Sequence, residues 1–248
     1  MDYKMLFDTA VLAGELLIKN GAETYRVEDT MYRILNKSNL ETIDVLVMMT
    51  GFVATLDDPE IEVLTMVRRI KSRGTNLDMI DKINVISRRF CQDMISLEDT
   101  YKQMLELKKS SREVKYKHLM MMTITGGFAI MLGGHPAEVV VAAIAGLVSS
   151  VVMDICRKFH LHMFLENILC CISLAVTVGI ITGMINMDIN KDLTIVSSIM
   201  PFVPGAAITN GVFDTLHGDY ISGSARMAEA FVIASAVAIG IGLGLLII

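Results

Sequence analysis

The sequence predicts a membrane α-helical bundle of five transmembrane helices, preceded by a small cytoplasmic α+β domain. Residues 1–118 hold 18 of the 22 Lys+Arg and 19 of the 27 Asp+Glu, whereas residues 119–248 hold four cations and eight anions. A soluble stretch of that second length would carry roughly a quarter charged residues, or about thirty. The predicted domains are therefore residues 1–118 and 119–248, the second with the composition of a lipid-embedded segment.

Five apolar stretches in the second domain approach the length that crosses the hydrocarbon core. They run over residues 119–134, 139–155, 168–187, 193–213 and 227–248. Two of them carry small residues at four-residue spacing, which lets helices pack closely in lipid. These residues are Ala142, Gly146 and Ser150 in the second stretch, and Ala230, Ala234, Ala238 and Gly242 in the fifth. A packed bundle is expected.

Cations set the predicted orientation, because cytoplasmic loops carry an excess of Lys and Arg. Arg157 and Lys158 lie in the second connection and Arg226 in the fourth, while residues 188–192 of the third contain only Lys191. The cations that crowd the entrance to the first stretch are Lys108, Lys109, Arg112, Lys115 and Lys117. We therefore expect a multi-pass protein of the cell membrane, in contact with lipid, with its N-terminus cytoplasmic and its C-terminus outside.

The first domain alternates helical and strand-like patterns. Apolar residues at helical spacing predict an amphipathic helix over residues 4–19 and a second helix from about Glu23. Residues 43–49, 52–56 and 61–67 read as strands separated by turn signals. Asn76 and Ser96 are predicted N-caps of two further helices, the last of which is expected to reach Lys117 and enter the first span. This order suggests an α+β domain with a meander sheet.

Several function classes are not indicated. No basic stripe with interleaved aromatic residues suggests a nucleic-acid partner. The four cysteines have neither CxxC spacing nor histidine pairing suited to zinc, so we interpret them as small core residues. Nucleophile, phosphate-loop and HExxH motifs are absent from the first domain. The prediction is a protein that is not an enzyme and has no metal or cofactor.

The fourth stretch contains Pro201 and the pair Pro204-Gly205 near its middle. One interpretation is an ordinary proline kink. The other is a discontinuous helix that exposes backbone groups to a substrate inside the membrane. Asp214 and Glu229 follow in apolar sequence with a helical pattern. Burying an ionisable group in a membrane helix is energetically costly, so such groups usually face a partner or a water path. The alternative interpretation is that they are solvated charges of a cytoplasmic loop.

Two motifs carry a resemblance. NGAETYRVEDTMYRI (20–34) and PFVPGAAITNGVFDTLHGDYISGSARMAEA (201–230) resemble signatures of the threonine/serine exporter family, and GGHPAEVVVAAIAG (133–146) resembles a third more loosely. The chain departs from the pattern at Phe213, where the family often has arginine, and at Glu138, where it tends to have a Trp-Arg-Asp run. The resemblance implies the amino-terminal half of a split exporter, with a second membrane subunit or another copy of the chain supplying the rest.

The hypothesis that follows is a proton-coupled secondary exporter of a small polar metabolite, most simply threonine or serine, with a dicarboxylate as the alternative substrate. Pro204, Gly205, Thr209, Asn210 and Arg226 are the predicted substrate-binding residues. The predicted proton-coupling carboxylates are Asp214 and Glu229, with Arg226 as partner of Asp214 or clamp for a substrate carboxylate. A hypothesis of another class is a membrane-anchored regulatory protein, whose partner would bind the cytoplasmic motif residues Glu23, Thr24, Arg26 and Glu28.

Overall fold

The computed structural model describes residues 2–59, 61–109, 116–184 and 189–248. The chain divides into two compact units. Unit 1 comprises Met1–Arg112 and Thr209–Arg226, and unit 2 comprises Glu113–Ile208 and Met227–Ile248. The domain boundary expected at residue 118 stays a prediction, and unit 1 adds a segment that lies far away in the sequence.

Within the described residues of its N-terminal segment, unit 1 has four α-helices, two of which begin at the predicted capping residues. They are α1 (Tyr3–Lys19), α2 (Thr24–Leu35), α3 (Leu77–Cys91) and α4 (Leu97–Lys109). Asn76 Oδ1 accepts a hydrogen bond from the N–H of Met79 at 3.0 Å, and Ser96 Oγ accepts one from the N–H of Asp99 at 3.1 Å. Both predicted N-caps are confirmed. The expected passage of α4 into the first span falls on residues 110–115, with Arg112 and Lys115, and lies outside the described residues.

Helix α1 is the centre of unit 1. The helix predicted over residues 4–19 is confirmed, but every residue from Leu6 to Ile18 is buried except Asp8, so its predicted amphipathic character was wrong. The physical reason is that α2, α3, α4 and the sheet all pack against α1 and leave it no solvent-facing side. Helix α2, in contrast, is amphipathic, with Asp29 and Arg33 joined at 2.8 Å on its exposed face.

Glu15 is a charged group inside this apolar helix. Lys19 hydrogen-bonds its carboxylate, and Lys108 Nζ lies 3.3 Å and Arg68 Nε 4.0 Å from its Oε2. Burial raises the pKa of Glu15, but the hydrogen bond from Lys19 and the charges of both lysines outweigh burial and hold that pKa below its usual value. Glu15 therefore favours the folded state in its ionised form.

The sheet is a three-stranded antiparallel meander, as predicted, in the order β1 (Thr42–Met48), β2 (Gly51–Asp57) and β3 (Leu64–Arg69). The third strand begins at Leu64 rather than at the expected residue 61. Leu64 pairs with Leu56, and β2 ends one residue later at Asp57, so the residues before Leu64 have no strand beside them. The face of the sheet that packs against the core carries Phe52, Ala54 and Leu56 of β2, all of them buried.

Unit 2 is helical. Its helices are α5 (Lys117–Met131), α6 (Pro136–Lys158), α7 (Met163–Met184) and α8 (Lys191–Ile199), while α9 (Gly205–Leu216) and α10 (Tyr220–Ile247) extend across the division between the units. In the part of the chain that the structure describes, α6, α7 and α10 are long and apolar enough to cross a membrane, and α8 with α9 makes a bent fourth candidate. Helix α5 has 15 residues, fewer than the roughly 20 that a span needs. Five spans therefore stay a prediction.

The fourth predicted span is broken at its prolines. Helix α8 ends in a 3₁₀ turn over Met200–Phe202, and α9 begins at Gly205 with a bend of 55°. Val203 is extended (ψ 130°), the conformation that a following proline imposes on its neighbour. Pro204 supplies no N–H to continue the helix. The interpretation as a discontinuous helix is confirmed for the break itself.

Small residues bring the membrane helices together, but only one predicted stripe does so. Ala142, Gly146 and Ser150 are buried on α6, and a Cβ on Gly146 would lie 2.3 Å from Thr125 Oγ1 of α5. Of the stripe predicted for the fifth stretch, Ala230 is buried, whereas Ala234, Ala238 and Gly242 are exposed, so the stripe as a whole was wrong. The residues of α10 that are buried at this spacing are Ala236, Gly240 and Gly244.

The reason is that α10 carries two four-residue series about 200° apart around its axis, given 100° per residue. A Cβ on Gly240 would lie 2.7 Å from both Cys171 Cβ and Ile168 O of α7, so the second series faces α7. Cys171 and its neighbour Cys170 are buried and free, as expected for small core residues.

Candidate functional site

A buried ion pair joins α9 to α10. Asp214 is fully buried near the end of α9, and Arg226, in the second turn of α10, is 7% exposed. Arg226 Nε donates to Asp214 Oδ2 at 2.7 Å. The turn between the helices is tight, with Gly218 at φ +90° and the Asp219 N–H bonded to the Asp214 carbonyl at 2.9 Å. Asp214 and Arg226, which the sequence suggested as an ion pair, therefore form one.

The same pair holds the first motif of the chain. Thr24, at the start of α2, donates to Asp214 Oδ1 twice, from its N–H at 3.2 Å and from its hydroxyl at 2.8 Å. Arg226 Nη2 donates to the carbonyl of Ala22 at 2.9 Å. Asn210 Nδ2 donates to the carbonyl of Gly21 at 3.3 Å. We call the set Gly21, Ala22, Thr24, Asn210, Asp214 and Arg226 the motif cluster.

A glycine turn aims the carbonyls of Gly21 and Ala22 into the motif cluster. Gly21 has φ +86°, a region that residues with a Cβ rarely adopt. A Cβ there would also lie 2.8 Å from the carbonyl oxygen of Gly74. The turn therefore requires glycine. It ends α1 and leaves the carbonyls of Gly21 and Ala22 free to accept hydrogen bonds from Asn210 of α9 and Arg226 of α10.

Ser222 makes a contact that the sequence reasoning missed. Its hydroxyl accepts a hydrogen bond from the N–H of Met49, at the β1–β2 turn, at 3.1 Å. Gly223 beside it allows close packing, because a Cβ there would lie 2.9 Å from the carbonyl of Gly211. The only signal in the sequence was the Ser-Gly step inside the second motif. Residues 209–226 are thus held to the N-terminal segment of unit 1 through α2, the sheet and the α1–α2 turn.

The cluster is electrically balanced, with one carboxylate against one guanidinium and the remaining polar atoms supplied by an amide, a hydroxyl and the backbone. A buried pair with these hydrogen bonds is stable as long as both partners are present. No group of metal-ligating side chains is found in the part of the chain that the structure describes. The arrangement can hold or release two chain segments, or bind a carboxylate if Asp214 leaves Arg226.

The surface beside the cluster carries the other motif residues. The rings of Tyr25 and His217 are stacked with centroids 4.0 Å apart and planes 3° from parallel. Arg26 hydrogen-bonds the Tyr25 hydroxyl at 3.1 Å and pairs with Glu23 at 3.3 Å. That hydrogen bond and the charge of Glu23 raise the pKa of Arg26. Glu28 is exposed on the next turn.

The remaining predicted residues have other surroundings. Thr209 is exposed in unit 1. Pro204 and Gly205 lie at the helix break in unit 2, and Glu229 is a half-buried residue of α10 in the same unit. Of the predicted site residues, Asp214, Arg226, Asn210 and Thr24 are therefore the ones that the structure brings into one hydrogen-bonded set.

Comparison with known proteins identifies the family. The model described as "Putative threonine/serine exporter" matches residues 8–248. The chain belongs to this family. It is accordingly a multi-pass membrane protein of a transporter family, which agrees with the prediction that it is not an enzyme.

Relatives in the family differ in name and length. "Probable succinate transporter subunit YjjP" of Escherichia coli (strain K12) is 20% identical over 241 residues, covering 96% of this chain and 92% of the relative. The Klebsiella aerogenes protein of the same name is 22% identical, covering 91% and 87%. "Probable threonine/serine exporter" of Mycobacterium tuberculosis (strain H37Rv) is 19% identical, covering 96% of this chain but 45% of the relative. No solved structure matches the chain.

Proposed function

We propose that this chain is one subunit of a proton-coupled secondary exporter for a small polar metabolite, with threonine or serine as the first candidate substrates. The observation that carries the proposal is the motif cluster. Both family motifs converge on one buried ion pair, and the second motif also contains the helix break at Pro204-Gly205. A passive anchor has no need of either feature, whereas broken membrane helices and buried ionisable groups are typical of transporters.

A dicarboxylate is the second candidate substrate, favoured by a specific observation. Two relatives that this chain covers over most of their length are named succinate transporter subunits. Arg226 would suit such a substrate, since a guanidinium binds carboxylates through paired hydrogen bonds. An amino acid also carries a carboxylate, so Arg226 could bind either substrate. The two substrates differ in their other charged group, which is an ammonium in an amino acid and a second carboxylate in a dicarboxylate.

In this proposal the break at Pro204-Gly205 opens the path, and Thr209 and Asn210 bind the polar groups of the substrate. The pair of Asp214 and Arg226 is closed in the described structure. In the proposed cycle the pair separates, and Asp214 then serves as a coupling carboxylate, with Glu229 as the second.

The transporter is proposed to need a second membrane subunit or another copy of the chain. The relatives named above as subunits support this, as does the large share of exposed residues on α6, α7 and α10. The N-terminus is proposed to be cytoplasmic and the C-terminus external. Cysteine labelling from outside should reach position 190 and miss position 60, and the reverse pattern would overturn the orientation.

Efflux from preloaded cells tests the function. We expect labelled threonine or succinate to leave faster when the chain is expressed with its partner subunit, and Asn210→Ala to reduce that rate several-fold at equal membrane abundance. Asn84→Ala is the matched control, because Asn84 is a half-buried asparagine of unit 1 on α3. Efflux of neither substrate above background would refute the proposed function.

A further inference from the structure

Unit 2 contains a buried carboxylate that the function above does not use. Glu138 lies in the first turn of α6 and is 2% exposed. Its Oε1 accepts a hydrogen bond from the N–H of Asn190 at 2.9 Å. Its Oε2 is enclosed and has no hydrogen-bond partner within the described residues. Buried polar atoms are almost always paired, so an unpaired carboxylate oxygen points to a ligand.

The carboxylate faces the beginning of another helix. Asn190 is the N-cap of α8, and its side chain accepts from the N–H of Leu193 at 3.0 Å. The Asn190 carbonyl accepts from the buried hydroxyl of Thr194 at 2.8 Å. These groups are therefore already satisfied by one another. The Asn190 N–H is the group of α8 that hydrogen-bonds Glu138, and Oε2 has no hydrogen-bond partner among the described atoms.

Two opposite influences act on Glu138. The Asn190 N–H, the backbone N–H groups at the start of α6 and the positive ends of the α6 and α8 dipoles favour the ionised carboxylate. Enclosure without a partner at Oε2 favours the neutral acid, because an unpaired buried charge is costly. A proton-coupled transporter requires a carboxylate that takes both states in turn during its cycle.

Other ionisable groups at this end of unit 2 are few. His135 directly precedes α6, and Lys191 and Asp192 lie in the first turn of α8, where Asp192 is exposed. The described last turns of α5, α7 and α10 carry no ionisable side chain. Residues 185–188, which include Asp188, lie outside the described residues.

We propose that Glu138 is a proton-binding site of unit 2, which takes up a proton on Oε2 and releases it during the transport cycle. This rests on the proposed function and adds a coupling group to it. On binding, an aqueous proton forms an O–H bond at Oε2, while Oε1 becomes the carbonyl oxygen and keeps its hydrogen bond from Asn190. A metal ion is a poor fit, since the described residues offer no cluster of ligands.

Glu138 differs from Asp214 in the event that protonation requires. Asp214 is held by Arg226 and by both donors of Thr24, so adding a proton means breaking an ion pair. Glu138 gains or loses a proton with one hydrogen bond kept and no ion pair broken. The two carboxylates are therefore separable by experiment.

Infrared spectroscopy of the whole protein in lipid tests the proton site without transport. Titration from alkaline to acidic buffer should bring up the carbonyl band of a buried protonated carboxyl group. Glu138→Gln should lower the intensity of the band, Glu138→Asp should shift that lost component, and the matched control Asp192→Asn should leave the band unchanged. Absence of the band from the unmodified protein, or an unchanged intensity in Glu138→Gln, would overturn the proposal. If Glu138→Gln does not fold, the shift in Glu138→Asp decides.

Transport tests the coupling. With the partner subunit present, an inward proton gradient should accelerate efflux of labelled threonine or succinate in the unmodified protein and in Asp192→Asn. In Glu138→Gln the ratio of efflux with and without the gradient should fall to one, with exchange in the absence of a gradient retained. An unchanged ratio in Glu138→Gln would overturn the coupling role. If the unmodified protein moves neither substrate, the proposed function fails while the infrared titration still decides the proton site.

Discussion

Replacement of Asp214 by asparagine is expected to destabilise unit 1 strongly. The change keeps the shape of the side chain but leaves Arg226 buried without a countercharge. The asparagine side chain has only one oxygen. If that oxygen accepts the hydrogen bond from Thr24, the NH₂ group faces the Arg226 guanidinium, and two hydrogen-bond donors then oppose each other. Removing one partner of a buried ion pair costs about 3–5 kcal/mol. We expect a loss of that size in the free energy of unfolding.

Tyrosine fluorescence offers a direct measurement on the full-length protein in detergent. The chain has six tyrosines and no tryptophan, and every tyrosine except Tyr116 belongs to unit 1. Denaturant unfolding followed by this signal therefore reports mainly on unit 1. The control is Asp29→Asn, which breaks the exposed pair with Arg33 and should change little.

A double-mutant cycle then isolates the pair. Asp214→Asn combined with Arg226→Met removes both charges, so the double variant should be less destabilised than the sum of the single variants. The difference is the interaction energy, which we expect at about 1–3 kcal/mol. If Asp214→Asn were as stable as Asp29→Asn, or if the two substitutions were additive, the buried pair would not be the element that joins α9 and α10 to unit 1.

Three further changes test other features of the fold. Gly223→Ala should cost about 1–3 kcal/mol in the same unfolding assay, because its Cβ would lie 2.9 Å from the Gly211 carbonyl; unchanged unfolding would contradict this close packing. Glu15→Gln should be less stable than the unmodified protein at neutral pH. Because the pKa of Glu15 is lowered in the folded state, this difference should vanish as the pH falls below the usual glutamate pKa, and a constant difference would be inconsistent with the ion pairs. Gly240→Leu should lower the thermal stability of unit 2 while Gly242→Leu should not, and the opposite order would restore the stripe first predicted for α10.

Local chemistry accounts for what the sequence predicted well. The caps at Asn76 and Ser96 and the break at Pro204 each depend on a few neighbouring residues, and each is found where it was expected. The stripe on α10 could not be chosen from sequence, since two small-residue series share one helix and only the position of α7 selects between them.

The candidate site was predictable in its members but not in its assembly. Asp214 and Arg226 were suspected because charges in apolar surroundings need partners. Their contact with Thr24 joins residues 190 positions apart, and no periodicity encodes it. Glu138 was noted only as a departure from a family pattern. Its burial depends on the start of α8, which lies 52 residues further along the chain.

The inclusion of residues 209–226 in unit 1 has a consequence for how the protein is made. A ribosome synthesises the N-terminal 112 residues well before it reaches Arg226, and at about 5–20 residues per second the interval is roughly 6–23 s. Throughout that time the Thr24 hydroxyl and the carbonyl of Ala22 lack the partners that Asp214 and Arg226 later provide. Unit 1 therefore completes these hydrogen bonds only after α5 to α9 and the start of α10 have been synthesised.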